Sequence, residues 1–261
     1  MSKQIYVTKM NGDKEPYNEK KLHNSLERAG ADKETINEIT GKVDKMLYDG
    51  IDTKKLFKFV FAELKKSKSP AGIRYNLKQG IIDLSINGEG FTFEKFMARI
   101  LEKQGYKTEL NRTVKGQNIT HEIDVTATKG KEILMVEAKY HDKPWLGTPI
   151  QTALYVYARF LDLKKDFTKP MLATNTKFSE QVIDYSKGVG IRLMGWNYPQ
   201  GDSLVENIEK YKLYPITILP LKKQEIKDYL ARKILTFDEL TKEKNLSPEM
   251  RKEIEVILNG K

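Results

Sequence analysis

The chain contains no cysteine. That excludes disulfide bonds, thiolate metal sites and any chemistry routed through a cysteine nucleophile or a thiyl radical. Histidine is nearly as scarce, with only His23, His121 and His141. A histidine-built metal centre is therefore not expected, and an oxygen-rich ligand set would suit Mg²⁺ or Mn²⁺. No uninterrupted apolar run approaches the ~20 residues of a membrane span. The opening residues, MSKQIYVTKMNGDKE, turn polar and charged at once. The reading is thus no membrane segment, no signal peptide and a cytoplasmic location by default.

What is present suits a folded, basic protein. A length of 261 residues allows two domains, or one large domain with additions. A hydrophobic share of 39% is enough for a real core. The net charge of +10 favours a polyanionic partner such as nucleic acid, although both signs alternate along the chain rather than forming one basic block.

The stretch His121–Tyr140, HEIDVTATKGKEILMVEAKY, organises the rest. Two runs rich in Ile, Val, Thr and Leu flank Lys129-Gly130, the pattern of a β-hairpin. With Lys129-Gly130 as its tip, Glu122 falls opposite Glu137 and Asp124 opposite Met135. Asp124, Glu137 and Lys139 then share one face. Neighbouring carboxylates repel unless a proton or a cation intervenes. A divalent ion would resolve the conflict, activate a bound water and neutralise charge on a phosphodiester. A hairpin with one charged face is usually just a solvated sheet surface, and the hairpin by itself favours that reading over a metal site.

Before it, Ile5–Val7 reads as a strand, Asn11-Gly12 as a two-residue turn and Glu15–Tyr17 as the returning strand. Apolar stripes then mark four helices: Leu22, Leu26 and Ala29 after an Asn18 cap; Ile36, Ile39, Val43 and Leu47; Leu56, Val60 and Leu64 after a Thr53 cap; and Ile73, Leu77, Ile81 and Leu84 after Ser69-Pro70. The segments VTKMNGDKEPYNEKKL and YDGIDTKKL resemble the ATP-cone, a nucleotide-binding regulatory domain, over residues 1–88. The family pattern Val-x-Lys-Arg-x-Gly appears as Val7, Lys9, Met10 and Gly12, with Met10 in place of the Arg. The resemblance implies that Val7, Lys9, Glu15, Asn18, Lys21 and Thr53 contact ATP or dATP. ATP-cones often precede ribonucleotide reductases or zinc-ribbon repressors, and both of those need cysteines that this chain lacks.

Ser85–Thr92 reads as a linker. Thr92 would cap a helix whose buried stripe is Phe93, Phe96, Met97, Ile100 and Leu101. A strand around Tyr106–Arg112, the hairpin, a helix with Ile150, Ala153, Leu154, Tyr157 and Leu161, and further strands at Met171–Thr174 and Ile191–Trp196 complete an α/β order with a mixed sheet. FEKFMARILEKQGY, HEIDVTAT, MVEAKY, LATNTKFSEQV and GIRLMGW, in that order, resemble the Mrr-like type IV restriction endonucleases of the PD-(D/E)xK superfamily. That resemblance implies Asp124 and Glu137 as metal ligands with Glu94 as a third, Lys139 as the catalytic lysine and Gln151 as its supporting helix residue.

The expected fold is thus α+β and multidomain: a β-hairpin plus four-helix ATP-cone over 1–88, a nuclease core over 89–200, and a small helical extension over 201–261. The expected function is a nucleotide-regulated, Mg²⁺-dependent DNA endonuclease, a hydrolase with DNA and an adenine nucleotide as partners and a homo-oligomeric state. The competing expectation is a nucleotide-sensing module that binds DNA or protein through an inactive nuclease fold.

Overall fold

A computed structural model of the chain describes residues 4–66, 71–85, 91–143 and 145–259. The chain divides into two compact units, one of residues 1–79 with 243–261 and one of residues 80–242.

In the first unit, β1 (Tyr6–Thr8) pairs antiparallel with β2 (Lys14–Pro16). The expected two-residue turn at Asn11-Gly12 is instead a five-residue loop, residues 9–13, closed by Lys9 N–H to the Asp13 carbonyl at 2.7 Å. Only Gly12 has positive φ there, whereas the tight type I′ turn needs it at both central residues. The helices α1 (Glu19–Arg28) and α2 (Lys33–Met46) follow. A short strand β3 (Ile51–Asp52), absent from the sequence reading, pairs parallel with β1 and leads into α3 (Thr53–Lys66). Asp52 accepts the Lys54 N–H at 2.6 Å. Thr53, expected as the cap, is the first helical residue instead.

The expected fourth helix is two, α4 (Ala71–Tyr75) and α5 (Leu77–Asp83), parted at Asn76. Its proposed start at Ser69-Pro70 lies outside the described residues. Leu26, Ala29, Ile36, Ile39, Val43, Val60 and Leu64 meet in one core, as their helical spacing requires.

The second unit is built on a mixed five-stranded sheet of order β10 (Arg192–Met194), β8 (Lys169–Thr174), β6 (Glu132–Lys139), β5 (Thr120–Lys129) and β4 (Lys107–Lys115). Its first helix, α6 (Phe91–Lys103), buries Phe93, Phe96, Met97, Ile100 and Leu101 completely and packs on β4, β5 and β6. Thr92 falls inside that helix and is not its cap; most of the expected linker, 86–90, lies outside the described residues. Gly105, at φ +92, ends the helix. The strands β4 (Lys107–Lys115), β5 (Thr120–Lys129) and β6 (Glu132–Lys139) form an antiparallel meander.

Next come β7 (Gly147–Thr148), α7 (Ile150–Asp162), β8 (Lys169–Thr174), β9 (Lys177–Phe178), α8 (Glu180–Val189) and β10 (Arg192–Met194). The strands β6, β8 and β10 run parallel. Consecutive buried residues such as Leu134, Met135 and Val136, or Met171, Leu172 and Ala173, show that both faces of the sheet are covered. Residues Ala153, Val156 and Phe160 of α7 and Val182 of α8 pack against Met135, Leu172 and Leu193 on one of them.

The C-terminal 61 residues of the sequence reading divide between the units. The helices α9 (Leu204–Tyr211), α10 (Lys223–Ala231) and α11 (Phe237–Leu240) belong to the second. There Arg99 of α6 reaches Glu239 at 2.7 Å and Lys103 reaches Asp238 at 2.8 Å. The last helix, α12 (Pro248–Asn259), belongs to the first, with Ile254 and Ile257 buried and Arg74 donating to the Ile257 carbonyl. Among the described residues no helix is long and apolar enough to cross a membrane.

Candidate functional site

The hairpin register differs from the expected one by two residues. Lys129 pairs with Glu132 and Val125 with Val136, so the loop is Gly130-Lys131. Gly130 has φ +59 while Lys131 has no positive φ, which fits a type II′ turn with Gly in its first central position. The ladder ends at Val125–Val136, making Asp124 and Glu137 the next residues on the two strands.

On the other side, β4 pairs Leu110 with Val125 and Arg112 with Ile123, skipping the step between them. Asn111 stands there with φ +52, a backbone that Asn tolerates better than most residues. Among the described residues of β5, Asp124 alone has a register partner on neither side. The sheet therefore opens around one carboxylate.

That opening is acidic. Asp124 Oδ2 accepts the Ala138 N–H at 2.7 Å, replacing the lost ladder bond. Glu137 Oε2 accepts from Nη1 of the buried Arg159, whose Nη2 donates to the Glu122 carbonyl. Each acid thus has one oxygen held and a second without a hydrogen bond among the described residues. Glu94, in the first turn of α6, accepts from Asn111 Nδ2 at 3.2 Å, and the same amide reaches Glu122 at 3.3 Å.

Burial raises all three acids from their ordinary values. Glu94 is pushed up to about 7 by burial and then by the nearby Asp124, against the Asn111 bond. Asp124 is raised by burial, opposed by the Ala138 N–H. Glu137 is raised by burial and by Asp124, opposed by Arg159 and Lys139. Three mutually repelling, partly buried acids are the electrostatic setting that a cation relieves. Among the described residues no three His, Asp or Glu side chains gather tightly enough to enclose an ion by themselves. Mg²⁺ commonly takes only one or two carboxylates and completes its shell with water and phosphate oxygens, so the Asp124–Glu137 pair fits it.

Lys139 lies two residues beyond Glu137 on β6, exposed, and its charge acts on both Asp124 and Glu137. The strand end behind it is pinned by Asn175, fully buried, which exchanges two 2.8 Å hydrogen bonds with the His141 backbone. Gln151, second in α7, is exposed and makes no side-chain hydrogen bond among the described residues. The helix instead contributes Arg159, two turns further on, which the sequence reading missed. His121 is buried against Asp162 at 2.9 Å and serves the fold.

In the first unit a cavity of about 240 Å³ is lined by Val7, Glu15, Asn18, Lys21 and Thr53, five of the six residues expected to contact a nucleotide. Lys9 lies behind them, paired to Glu15 at 2.6 Å, and Lys21 approaches the same carboxylate at 3.3 Å. These two amines, Lys9 foremost, hold the Glu15 carboxyl below its usual range. Asn18 caps α1 through the Lys21 N–H as expected. Phe57 stacks on Tyr75 at 5.1 Å to give one aromatic wall. The buried Tyr17 hydroxyl at the cavity has no hydrogen-bond partner among the described residues, and burial pushes its pKa up to about 12. An orphaned donor, an aromatic wall and two amines fit a polar, anionic ligand with a flat ring.

Residues 87–205 match the restriction endonuclease family Mrr_cat, and residues 5–77 match the ATP cone domain. The chain thus carries an Mrr_cat domain, preceded by an ATP cone domain. An uncharacterized protein of Archaeoglobus fulgidus is 46% identical over 142 residues, 54% of this chain and 80% of that one. A crystallised protein of unknown function is 36% identical with a TM-score of 0.54, spanning 66% of this chain and 96% of its own. Can2 from Sulfobacillus thermosulfidooxidans, solved in complex with cyclic tetra-adenylate, is more remote. It has 16% identity and a TM-score of 0.35 over 47% of this chain and 35% of Can2.

Within this Mrr_cat domain, Asn111, Arg159 and Asn175 are polar residues that the sequence reading did not single out. Asn111 carries a weak signal, since Asn is among the residues that enter left-handed backbone. Arg159 carries none, because its partners Glu137 and Glu122 are 22 and 37 residues away.

Proposed function

We propose that the chain is a cytoplasmic, nucleotide-regulated, Mg²⁺-dependent DNA endonuclease, with the nucleotide sensor in residues 1–88, the nuclease in 89–200 and a helical extension in 201–261. The observation that carries this reading is the parting of β4, β5 and β6 around Asp124, which leaves Asp124 and Glu137 adjacent with Lys139 two residues on. Asp124 and Glu137 would hold Mg²⁺ through their free oxygens, with Glu94 behind them. Bound there, the ion supplies an acidified water and neutralises charge on the phosphodiester.

The protein's own groups do the rest. Ala138 N–H and Arg159 fix one oxygen of each carboxylate, which leaves the other for a cation. Lys139, whose amine makes no hydrogen bond among the described residues, is available to orient the attacking water or to meet the charge gathering on the phosphate. Gln151 would support the substrate side from the start of α7. In the cone, Val7, Lys9, Glu15, Asn18, Lys21 and Thr53 would take ATP or dATP. Regulation then requires that the nucleotide bind two assemblies of a homo-oligomer with different affinity.

Supercoiled plasmid incubated with Mg²⁺ or Mn²⁺, with and without ATP or dATP, tests this. Glu137→Ala and Lys139→Ala are expected to abolish nicking, a loss of at least about 10²-fold. Cutting at the parent rate by either variant would sink the site assignment.

The Arg159–Glu137 ion pair favours a second reading, because it offsets the charge of one ligand carboxylate without metal. On that reading the nuclease fold binds DNA or a protein without cutting. Fluorescence anisotropy of labelled DNA would then show binding while no nick forms with either metal.

A further inference from the structure

The opposite end of the sheet carries a second polar pocket, of about 440 Å³. Glu132 at its rim and Glu137 in the acidic opening are five residues apart on β6, roughly 17 Å at ~3.3 Å per residue. The pocket is thus distinct from the acidic site.

Its floor is a closed hydrogen-bond network. Gln104, at the end of α6, donates to Asp202 at 3.0 Å and to Asn207 at 2.7 Å, and accepts from Arg192 at 2.8 Å. Arg192 also donates to Asp202 at 2.8 Å, and Tyr106 donates to Glu132. Both acids of the pocket are therefore occupied. Above this floor stand Lys129, Lys169 and Lys210. Lys129 donates to the Gln104 carbonyl at 2.7 Å and lies over the Tyr106 ring. Lys210 lies over the Tyr211 ring. Neither Lys169 nor Lys210 has an acidic partner among the described residues.

Four cations against two acids leave the pocket two charges positive. The residues come from the turn between α6 and β4, the hairpin tip, β8, β10, the loop before α9 and α9 itself, so the fold gathers them from six separate places. An excess of preplaced cations over a rigid floor, with two aromatic rings at hand, matches a phosphorylated nucleotide unit. It does not match an apolar molecule or a metal.

We propose that this pocket binds a nucleotide phosphate, with Lys169 and Lys210 as its principal contacts. The phosphate belongs either to a DNA strand held at a distance from the acidic opening or to a free nucleotide. The first source rests on the DNA reading given above; the second does not.

The test compares the full chain with Lys169→Ala/Lys210→Ala. Neither amine makes a protein hydrogen bond or ion pair among the described residues, so the fold should persist, and circular dichroism checks that it does. If the phosphate is DNA's, anisotropy with labelled duplex shows affinity reduced roughly tenfold at low salt, and a log–log salt slope shallower by about one to two. If it is a free nucleotide's, DNA binding is unchanged or absent in both proteins. Calorimetric titration with ADP then shows one equivalent fewer in the variant than in the parent. Unchanged DNA affinity together with an unchanged ADP stoichiometry overturns the proposal. A parent that neither binds nor nicks DNA would defeat the endonuclease reading alone, and the ADP titration would still decide this pocket.

Discussion

Glu137 sits between Arg159, which favours its charge, and Asp124 with burial, which oppose it. Removing Arg159 leaves a mostly buried carboxylate facing another without compensation. Arg159→Ala is expected to cost about 3 kcal/mol, the scale of breaking one side of a buried pair. Urea denaturation measures it. Asp162 shows the reverse balance. Burial works against its charge, but His121, Ile119 and Asn118 all bond to it and bring its pKa down to about 2 from 3.8. A carboxyl lowered on folding adds stability that is complete above its unfolded pKa and is lost as pH falls through its folded one. Asp162→Asn should therefore be less stable than the parent at pH 7, with the gap narrowing between pH 3.8 and about 2. Equal gaps in urea midpoints at pH 7 and pH 3 would contradict that assignment.

At the scale of elements, the break in the sheet depends on Asn111. A β-branched residue is strained at φ +52, whereas glycine is not. Asn111→Val should lose about 1–2 kcal/mol, while Asn111→Gly keeps the backbone and loses only the bonds to Glu94 and Glu122. Thermal denaturation should rank them parent, Gly, Val. The hairpin itself was legible in the alternation on either side of Gly130. Its register was not. A slip of two residues leaves every side chain on its original face, so hydrophobic alternation cannot distinguish the two pairings. The choice fell to the turn, where Gly130 had to take the first central position.

For the whole molecule, the ATP-cone cavity and the acidic opening belong to different compact units. A ligand that binds only the folded cone stabilises it by mass action, about 2.7 kcal/mol at a hundredfold excess over its Kd. ATP or dATP should accordingly raise the unfolding midpoint of the parent, and the rise should shrink sharply in Lys21→Ala. Differential scanning fluorimetry across a nucleotide titration checks it. A shift of equal size in both proteins would remove Lys21 from the nucleotide site.

The amino-acid order alone determined the helical stripes, the meander, the mixed sheet and the exclusion of thiol chemistry, because each follows from local periodicity or from composition. Only the tertiary structure decided that Arg159 holds Glu137, that β3 joins β1, and that the C-terminal residues are shared between two units. Those outcomes turn on contacts between residues far apart in the chain, each chosen in competition with solvent and with other partners. Local pattern carries no record of that competition.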